Sequence, residues 1–109
     1  MEKGIEDLSQ VRDEVENMHL KDKSATFNTA RIEALEMQNL FEVAEATAVT
    51  ANSRKESRGA HSRDDYPDRD DENWLKHSIY FSENKEVSKR DVNYRPKTVQ
   101  AFQPMVRSY

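Results

Sequence analysis

Carboxylate side chains crowd one short stretch in the second half of the sequence. They are Asp64, Asp65, Asp68, Asp70, Asp71 and Glu72. Hard cations prefer carboxylate oxygens, so this acidic run suggests a metal site. A calcium loop that begins at Asp68 needs glycine at its sixth position and glutamate at its twelfth, but this chain has Asn73 and Ile79 there. We therefore predict no metal site and expect the acids to cap a short helix and to pair with Arg63 and Arg69.

The histidines offer the other candidate chemistry. His19, His61 and His77 lack the spacing of metal ligands on a helix, and no serine lies in a Gly-x-Ser-x-Gly turn. The absence of cysteine removes thiolate nucleophiles, thiolate metal sites and disulfides. We therefore predict no catalytic residue in this chain. His61 differs from the other two because Arg58 and Arg63 flank it, and this positive cluster suits an anion or a carboxylate contributed from elsewhere.

Other functional classes are excluded by composition. Gly4 and Gly59 are the only glycines, so the sequence contains neither a dinucleotide-binding glycine turn nor a phosphate-binding loop. The apolar runs are all much shorter than the ~20 residues of a membrane span. Residues 85–109 hold six basic and two acidic side chains but no base-stacking motif or recognition helix. We therefore predict that the chain does not bind nucleic acid.

The first part of the chain has the pattern of a helix followed by a connection. Apolar residues at intervals of three or four predict a helix from Ile5 to Leu20. Asn28 is a favourable N-cap for a second helix. Phe27 and Ile32 have the spacing of a hydrophobic staple across this cap.

The second helix is predicted to be long, because residues 29–58 contain neither glycine nor proline. Basic residues in its last turns and Gly59 after them suit the negative end and the stop of a helix, so we place its end at Arg58. It carries two apolar stripes. One is Ala30, Ala34, Met37, Phe41, Ala44, Ala48 and Ala51, and the other is Ile32, Leu35, Leu40, Val43 and Thr47. The first helix can cover only one of them, so we expect the other to need a partner.

The remainder of the chain is predicted to contain a small hairpin. A helical turn capped by Asp70 or Asp71 holds Trp74 and Leu75, and β-branched and aromatic residues predict strands at His77–Phe81 and Glu86–Tyr94 around a turn at 82–85. The last fifteen residues should be extended. The predicted fold is mainly α, a helical hairpin or bundle of two long helices with a small C-terminal β-hairpin and an extended tail. We expect one domain, with the helical hairpin in residues 1–58 and the loop, β-hairpin and tail in 59–109.

One long stretch of the sequence has a recognisable pattern. The run KESRGAHSRDDYPDRDDENWLKH (55–77) and the ending MVRSY (105–109) resemble the C-terminal helical domain of the succinate dehydrogenase flavoprotein subunit. The KESRGAH part is similar in fumarate reductases and, more loosely, in L-aspartate oxidases. PDRDDENW, the following KHSIY and the RSY ending favour succinate dehydrogenase within this group. A fumarate reductase flavoprotein domain and a stand-alone helical protein-interaction module remain the alternatives.

The resemblance implies a larger oxidoreductase. Its parent subunit would oxidise succinate to fumarate through covalently held FAD and pass electrons to an iron–sulfur subunit and a quinone. The FAD site and the catalytic residues would lie in upstream flavin and capping domains, so we expect this fragment to bind no FAD and to be inactive alone. Its partners would be those domains and the iron–sulfur subunit. The complex would sit at the cytoplasmic face of the bacterial inner membrane, with the fragment touching the membrane only indirectly, and we expect the isolated fragment to be a homodimer.

Site residues follow from the matching motif alone. Arg58 and His61 match the family's S-R-G-A-H core, and Arg107 matches its terminal arginine. The resemblance implies that they dock the fragment on the flavin domain or support flavin attachment. A cation would stabilise the negative charge that builds up on the flavin ring during attachment. The alternative is that the arginines only pin the two domains together.

Overall fold

The protein is described by a computed structural model in which residues 1–105 can be placed. Its elements in chain order are α1 (Glu2–Glu16), α2 (Thr29–Ser53), α3 (Asp71–Trp74), β1 (Lys76–Phe81) and β2 (Glu86–Asp91). β1 and β2 form an antiparallel two-stranded sheet. The predicted class, mainly α with a C-terminal β-hairpin, is therefore confirmed.

α1 ends at Glu16, four residues before the predicted end at Leu20. The Asn17 side chain donates a hydrogen bond of 2.7 Å to the carbonyl of Asp13, and the Asn17 amide donates to the same oxygen. An asparagine that satisfies the last helical carbonyls in this way ends a helix without glycine. α1 also begins at Glu2, three residues before the predicted start at Ile5. Periodicity alone therefore gave nearly the right length but placed both ends too far toward the C-terminus.

Asn28 is the N-cap of α2, as predicted. Its side-chain oxygen accepts a hydrogen bond of 2.9 Å from the Arg31 amide, and its side-chain amide donates to the carbonyls of Asp22 and Ser24. Asn28 therefore both caps α2 and holds the preceding connection. The predicted staple is wrong, because Phe27 has a φ of 53° and is 98% exposed. That left-handed backbone directs its ring away from the helix.

The end of α2 also differs from the prediction. The helix ends at Ser53 rather than Arg58, because Arg63 supplies the groups that satisfy its last carbonyls. The Arg63 guanidinium donates to the carbonyls of Asn52 and Arg54 at 2.7 and 3.2 Å. Gly59 does not stop α2 but occupies a tight turn, with a φ of 59°, between the paired backbones of Arg58 and His61.

The hairpin joins β1 and β2 in a register that pairs Lys76 with Asp91 and Phe81 with Glu86. The turn covers residues 82–85, as predicted, and Lys85 adopts the left-handed conformation there. β2 was predicted to continue to Tyr94 but ends at Asp91. The reason is that β1 begins directly after α3 and so offers no partner for residues 92–94.

The core between α1, α2 and the hairpin is small. Among the residues that the structure describes, Phe41 of α2 is the one buried apolar side chain, at 8% exposure. Beside it the buried Glu45 pairs with Arg12 of α1 and with Lys85 of the hairpin turn, and Arg12 also lies over the Phe41 ring. Tyr80 of β1 lies 3.5 Å from the Glu45 carboxylate. Charged contacts thus join three elements around one aromatic ring.

The second apolar stripe of α2 faces solvent. Ile32, Leu35, Leu40 and Val43 are all more than half exposed. The expectation that the described elements leave one side of α2 uncovered is therefore confirmed.

In residues 1–105 no helix is long and apolar enough to cross a membrane.

The burial of Phe41 leads to a stability prediction. Phe41→Ala removes the one buried apolar side chain of residues 1–105. We expect it to lower the free energy of unfolding by about 3 kcal/mol, the usual cost of truncating a buried phenylalanine. Phe102 of the tail is 75% exposed, so Phe102→Ala should change the free energy by less than about 0.5 kcal/mol. Urea unfolding followed by circular dichroism measures both. Equal losses in the two variants would contradict the assigned core.

Candidate functional site

The candidate site lies in the segment that follows α2. Arg54 leaves the helix in an extended conformation, with φ −80° and ψ 106°. Alternate side chains of an extended segment point to the same side, so Arg54, Glu56 and Arg58 can meet. We call these three residues and Asp71 the Arg58 cluster.

Glu56 is the centre of the Arg58 cluster and is fully buried. One carboxylate oxygen accepts hydrogen bonds from Arg54 and from Nε of Arg58, and the other accepts from Nη2 of Arg58 at 3.0 Å and from the Asp70 amide at 2.9 Å. Burial by itself raises the pKa of Glu56. The hydrogen bonds from Arg58, the Asp70 amide and Arg54 outweigh that effect and hold the pKa below its ordinary value.

Arg58 is held on two sides by acids. Its Nε and Nη2 form a two-pronged pair with Glu56, and Nη2 also donates to Asp71 at 2.6 Å. The pair with Glu56 raises the pKa of Arg58, and the hydrogen bond from Arg58 lowers the pKa of Asp71. The Nη1 group donates no hydrogen bond to the residues that the structure describes, and the side chain is 27% exposed. Arg58 therefore keeps Nη1 for a further acceptor, while Glu56 and Asp71, which also pair with Arg54 and Arg69, hold the rest of its guanidinium.

Arg54 joins the Arg58 cluster to the hairpin. Its guanidinium donates to the carbonyls of Trp74 and Lys76 and to the hydroxyl of Ser78, at 2.9, 2.6 and 3.1 Å. The same guanidinium lies 5.3 Å from the Trp74 ring, and Lys89 of β2 lies 3.3 Å from that ring. Trp74 is thus a packing residue held by cation–π contacts.

A shallow cavity of about 260 Å³ opens beside Arg58. His61 lies in its wall, and its Nε2 is 3.3 Å from the carbonyl of Arg54. The aromatic rings of Trp74 and Tyr94 and the stem of Lys76 complete the lining. The structure therefore brings two of the three predicted site residues, Arg58 and His61, to one cavity.

The C-terminal tail approaches the Arg58 cluster through Arg69. The Arg69 guanidinium donates to Asp71 at 2.9 Å and to the carbonyl of Met105 at 3.0 Å. Arg107, the third predicted site residue, lies outside the described residues. The described part of the tail thus connects through Arg69 and Asp71 to Arg58.

The acidic run behaves as a pairing and capping segment. Asp65 pairs with Arg63, Asp71 with Arg69, and the side chain of Asp70 caps α3 by accepting from the Asn73 amide at 3.0 Å. The hydrogen bonds from Asn73 lower the pKa of Asp70. Within residues 1–105 no three histidine or acidic side chains are placed to hold a metal ion. The predicted caps and pairs are confirmed.

The chemistry open to this site is recognition. Its acids are engaged with arginines or backbone amides, and the outward groups are a guanidinium edge, an imidazole and two aromatic rings. Such a set can receive an acceptor oxygen from another surface. Sequence reasoning missed Glu56 and the structural roles of Arg54 and Arg63. The signal was present, since a glutamate two residues from an arginine on each side forms this triad once the chain is extended.

The buried charge of Glu56 leads to a pH prediction. A carboxylate with a lowered pKa contributes stability that is present above its unfolded-state pKa, near ~4.3, and is lost as pH falls through the folded-state value. We expect Glu56→Gln to lower the free energy of unfolding by roughly 3 kcal/mol at pH 7, because it leaves the half-buried Arg54 and Arg58 without the buried counter-charge between them. The difference from wild type should shrink at acid pH. Urea unfolding at pH 7, 5 and 3 tests this, and a pH-independent difference would contradict it.

Comparison with known proteins places this geometry in a family. The profile described as the fumarate reductase flavoprotein C-terminal region matches residues 1–109. The succinate dehydrogenase flavoprotein subunit of Coxiella burnetii is 51% identical over 98% of this chain and 18% of its own length. The corresponding subunit of Rickettsia conorii is 40% identical over 100% of this chain and 19% of its own length.

Fumarate reductases are also similar. The flavoprotein subunit from Haemophilus influenzae is 36% identical over 100% of this chain and 18% of its own length. A solved structure of a variant of E. coli quinol fumarate reductase FrdA superposes with a TM-score of 0.77 at 30% identity, covering 94% of this chain and 18% of that one. The chain thus spans about one fifth of the length of the relatives that it matches. It belongs to the succinate dehydrogenase and fumarate reductase flavoprotein family and corresponds to the C-terminal domain of the flavoprotein subunit.

Proposed function

We propose that residues 1–109 form one docking domain of a flavoprotein subunit that oxidises succinate to fumarate and passes electrons from FAD to an iron–sulfur subunit and a quinone. The observation that supports succinate dehydrogenase is the degree of identity. It is 51% with a succinate dehydrogenase subunit and 36% with a fumarate reductase subunit over nearly the same residues. Fumarate reductase is the second candidate, supported by the family profile and by the FrdA structure.

The domain's own contribution is structural in this proposal. Neither glycine belongs to a phosphate-binding loop, since Gly4 is in α1 and Gly59 stands alone in a tight turn. The cavity around Phe41 and the cavity beside Arg58 are open to solvent, and paired charges form part of the lining of each. These residues do not fit FAD, so we place the cofactor and the catalytic residues in the upstream flavin and capping domains.

Arg58, His61 and Arg107 would dock the domain and support flavin attachment. The support for Arg58 and His61 is their position at one open cavity, together with the Nη1 group of Arg58, which donates no hydrogen bond to residues 1–105. The support for Arg107 is the link from Arg69 to Met105, which connects the described tail to the Arg58 cluster. In this proposal the subunit is a peripheral protein at the cytoplasmic face of the bacterial inner membrane and reaches the membrane only through its complex.

Covalent flavin in the full-length subunit tests the proposed function. Arg58→Ala or Arg107→Ala should lower covalently bound flavin at least about fivefold, the factor given by losing roughly 1 kcal/mol of hydrogen bonding. Succinate-dependent reduction of an acceptor dye should fall with it. Flavin fluorescence in denaturing gels and a dye assay measure the two effects.

The matched control for these variants is Arg95→Ala. Arg95 is an exposed arginine of the tail, and its side chain makes no hydrogen bond with the residues that the structure describes. It should retain normal covalent flavin. Normal flavin in both Arg58→Ala and Arg107→Ala would refute the proposed support of flavin attachment.

The exposed stripe of α2 is the proposed surface for the domain's partners. In the full-length subunit we assign it to the upstream domains, and in the isolated chain to a second copy. Ile32, Leu35, Leu40 and Val43 are spaced 3, 5 and 3 residues apart, and this spacing reads the same in both directions. An antiparallel second helix can therefore place Ile32 against Val43 and Leu35 against Leu40, as a two-fold interface requires.

The isolated chain is accordingly predicted to form a weak homodimer. Four side chains per copy bury less than the about 1,200–2,000 Å² of a standard interface, so we expect a dissociation constant on the order of 10–100 μM. Leu40→Glu and Val43→Glu should give monomers in sedimentation equilibrium. Val99→Glu and Phe102→Glu alter equally exposed apolar residues of the tail and should leave the dimer intact. A wild-type monomer at millimolar concentration would refute the dimer.

A further inference from the structure

The family motif does not show how Arg58 would support flavin attachment. Two modes of action are open to it. A cation that stabilises developing negative charge needs net positive charge at the site. A directional donor needs a fixed orientation instead. The two modes predict different roles for the acids around Arg58.

The contacts favour the directional mode. Glu56 is fully buried and takes both Nε and Nη2 of Arg58, which fixes the plane of the guanidinium. Asp71 takes a second hydrogen bond from Nη2. Glu56 and Asp71 also pair with Arg54 and Arg69, so the two carboxylates are shared among three arginines and fix the Arg58 guanidinium in place rather than cancel its charge. Arg58 lines the cavity and its Nη1 group donates no hydrogen bond to residues 1–105, so Nη1 is the group left for an outside partner.

Glu56 is itself held in place independently of Arg58. The Asp70 amide and Arg54 donate to its carboxylate, and Arg54 is in turn fixed by the carbonyls of Trp74 and Lys76. The orientation of Arg58 is therefore set by the end of α2, by the start of α3 and by the hairpin together. A lysine at position 58 would keep the charge but could not form the two-pronged pair.

We propose that Glu56 is a positioning residue that makes Arg58 a directional hydrogen-bond donor, aimed at an acceptor oxygen of the flavin domain, rather than a free positive charge. This inference rests on the proposed role of Arg58 in flavin attachment. It identifies Glu56 as the residue that controls this role, and an acceptor oxygen as the group to which Arg58 donates.

The two modes predict opposite effects of Glu56→Gln on the amount of covalent flavin in the full-length subunit. Glu56→Gln removes a negative charge beside Arg58. If Arg58 acts through its charge, covalent flavin should be unchanged or higher. If Arg58 acts through its direction, covalent flavin should fall at least threefold. In the directional mode, Arg58→Lys should lower covalent flavin as far as Arg58→Ala does. In the charge mode, Arg58→Lys should retain the wild-type amount.

Two further variants show whether Glu56→Gln lowers covalent flavin by unfolding the domain or by releasing the orientation of Arg58. Asp65→Asn removes the carboxylate partner of Arg63 in the same loop, so it disturbs the loop without touching Arg58 and should keep normal flavin. In an Arg58→Ala background, Glu56→Gln should cause no further loss if it acts through Arg58. A further loss of twofold or more there, or a loss with Asp65→Asn equal to that of Glu56→Gln, would overturn the inference in favour of a merely structural role.

The same experiment separates the two levels of the proposal. Normal covalent flavin in Arg58→Ala would refute the proposed function and the inference with it. A loss in Arg58→Ala that Arg58→Lys restores, with flavin retained in Glu56→Gln, would overturn the inference alone. A loss in all three single variants, without addition in the double variant, is the result that we expect.

Discussion

Burying the charge of Glu56 is the requirement on which the second half of the described chain depends. A carboxylate without water is stable only if positive or N–H groups surround both of its oxygens. Here those groups come from Arg54 at the end of α2, from Arg58 in the following turn and from the Asp70 amide at the start of α3. Satisfying one carboxylate therefore fixes three separate segments relative to one another.

Charge takes the place of an apolar core elsewhere as well. Glu45, which is also buried, pairs with Arg12 of α1 and with Lys85 of the hairpin turn, beside Phe41, the one buried aromatic ring of residues 1–105. Ion pairs fix geometry but contribute less net stability than apolar burial, since desolvation offsets their attraction. A domain built in this way needs further apolar cover, and the exposed stripe of α2 is where it can be supplied. Relatives five times longer than this chain fit that need.

Features set by local chemistry could be predicted from the sequence, and features set by distant residues could not. Asn28 and Asp70 cap their helices through amides three residues away, so their roles follow from the nearby sequence. The end of α2 is different, because Arg63, nine residues beyond Arg54, satisfies its carbonyls. Glu56 was missed for a related reason. Its side chain meets both arginines only because the helix ends before it. In the overlong predicted helix, Arg54 and Arg58 share one face and Glu56 lies on the opposite side.

The same dependence explains why a motif rich in arginine need not present positive charge. In sequence, Arg58 and Arg63 around His61 suggest a cationic patch that would attract an anion. In the fold, Arg58 pairs with Glu56 and Asp71, Arg63 pairs with Asp65, and Arg63 also donates to backbone carbonyls. Arg58 is then distinguished by its fixed plane and by its Nη1 group, which donates no hydrogen bond to residues 1–105. A group held in this way recognises another surface by the position of an acceptor, which suits docking between domains.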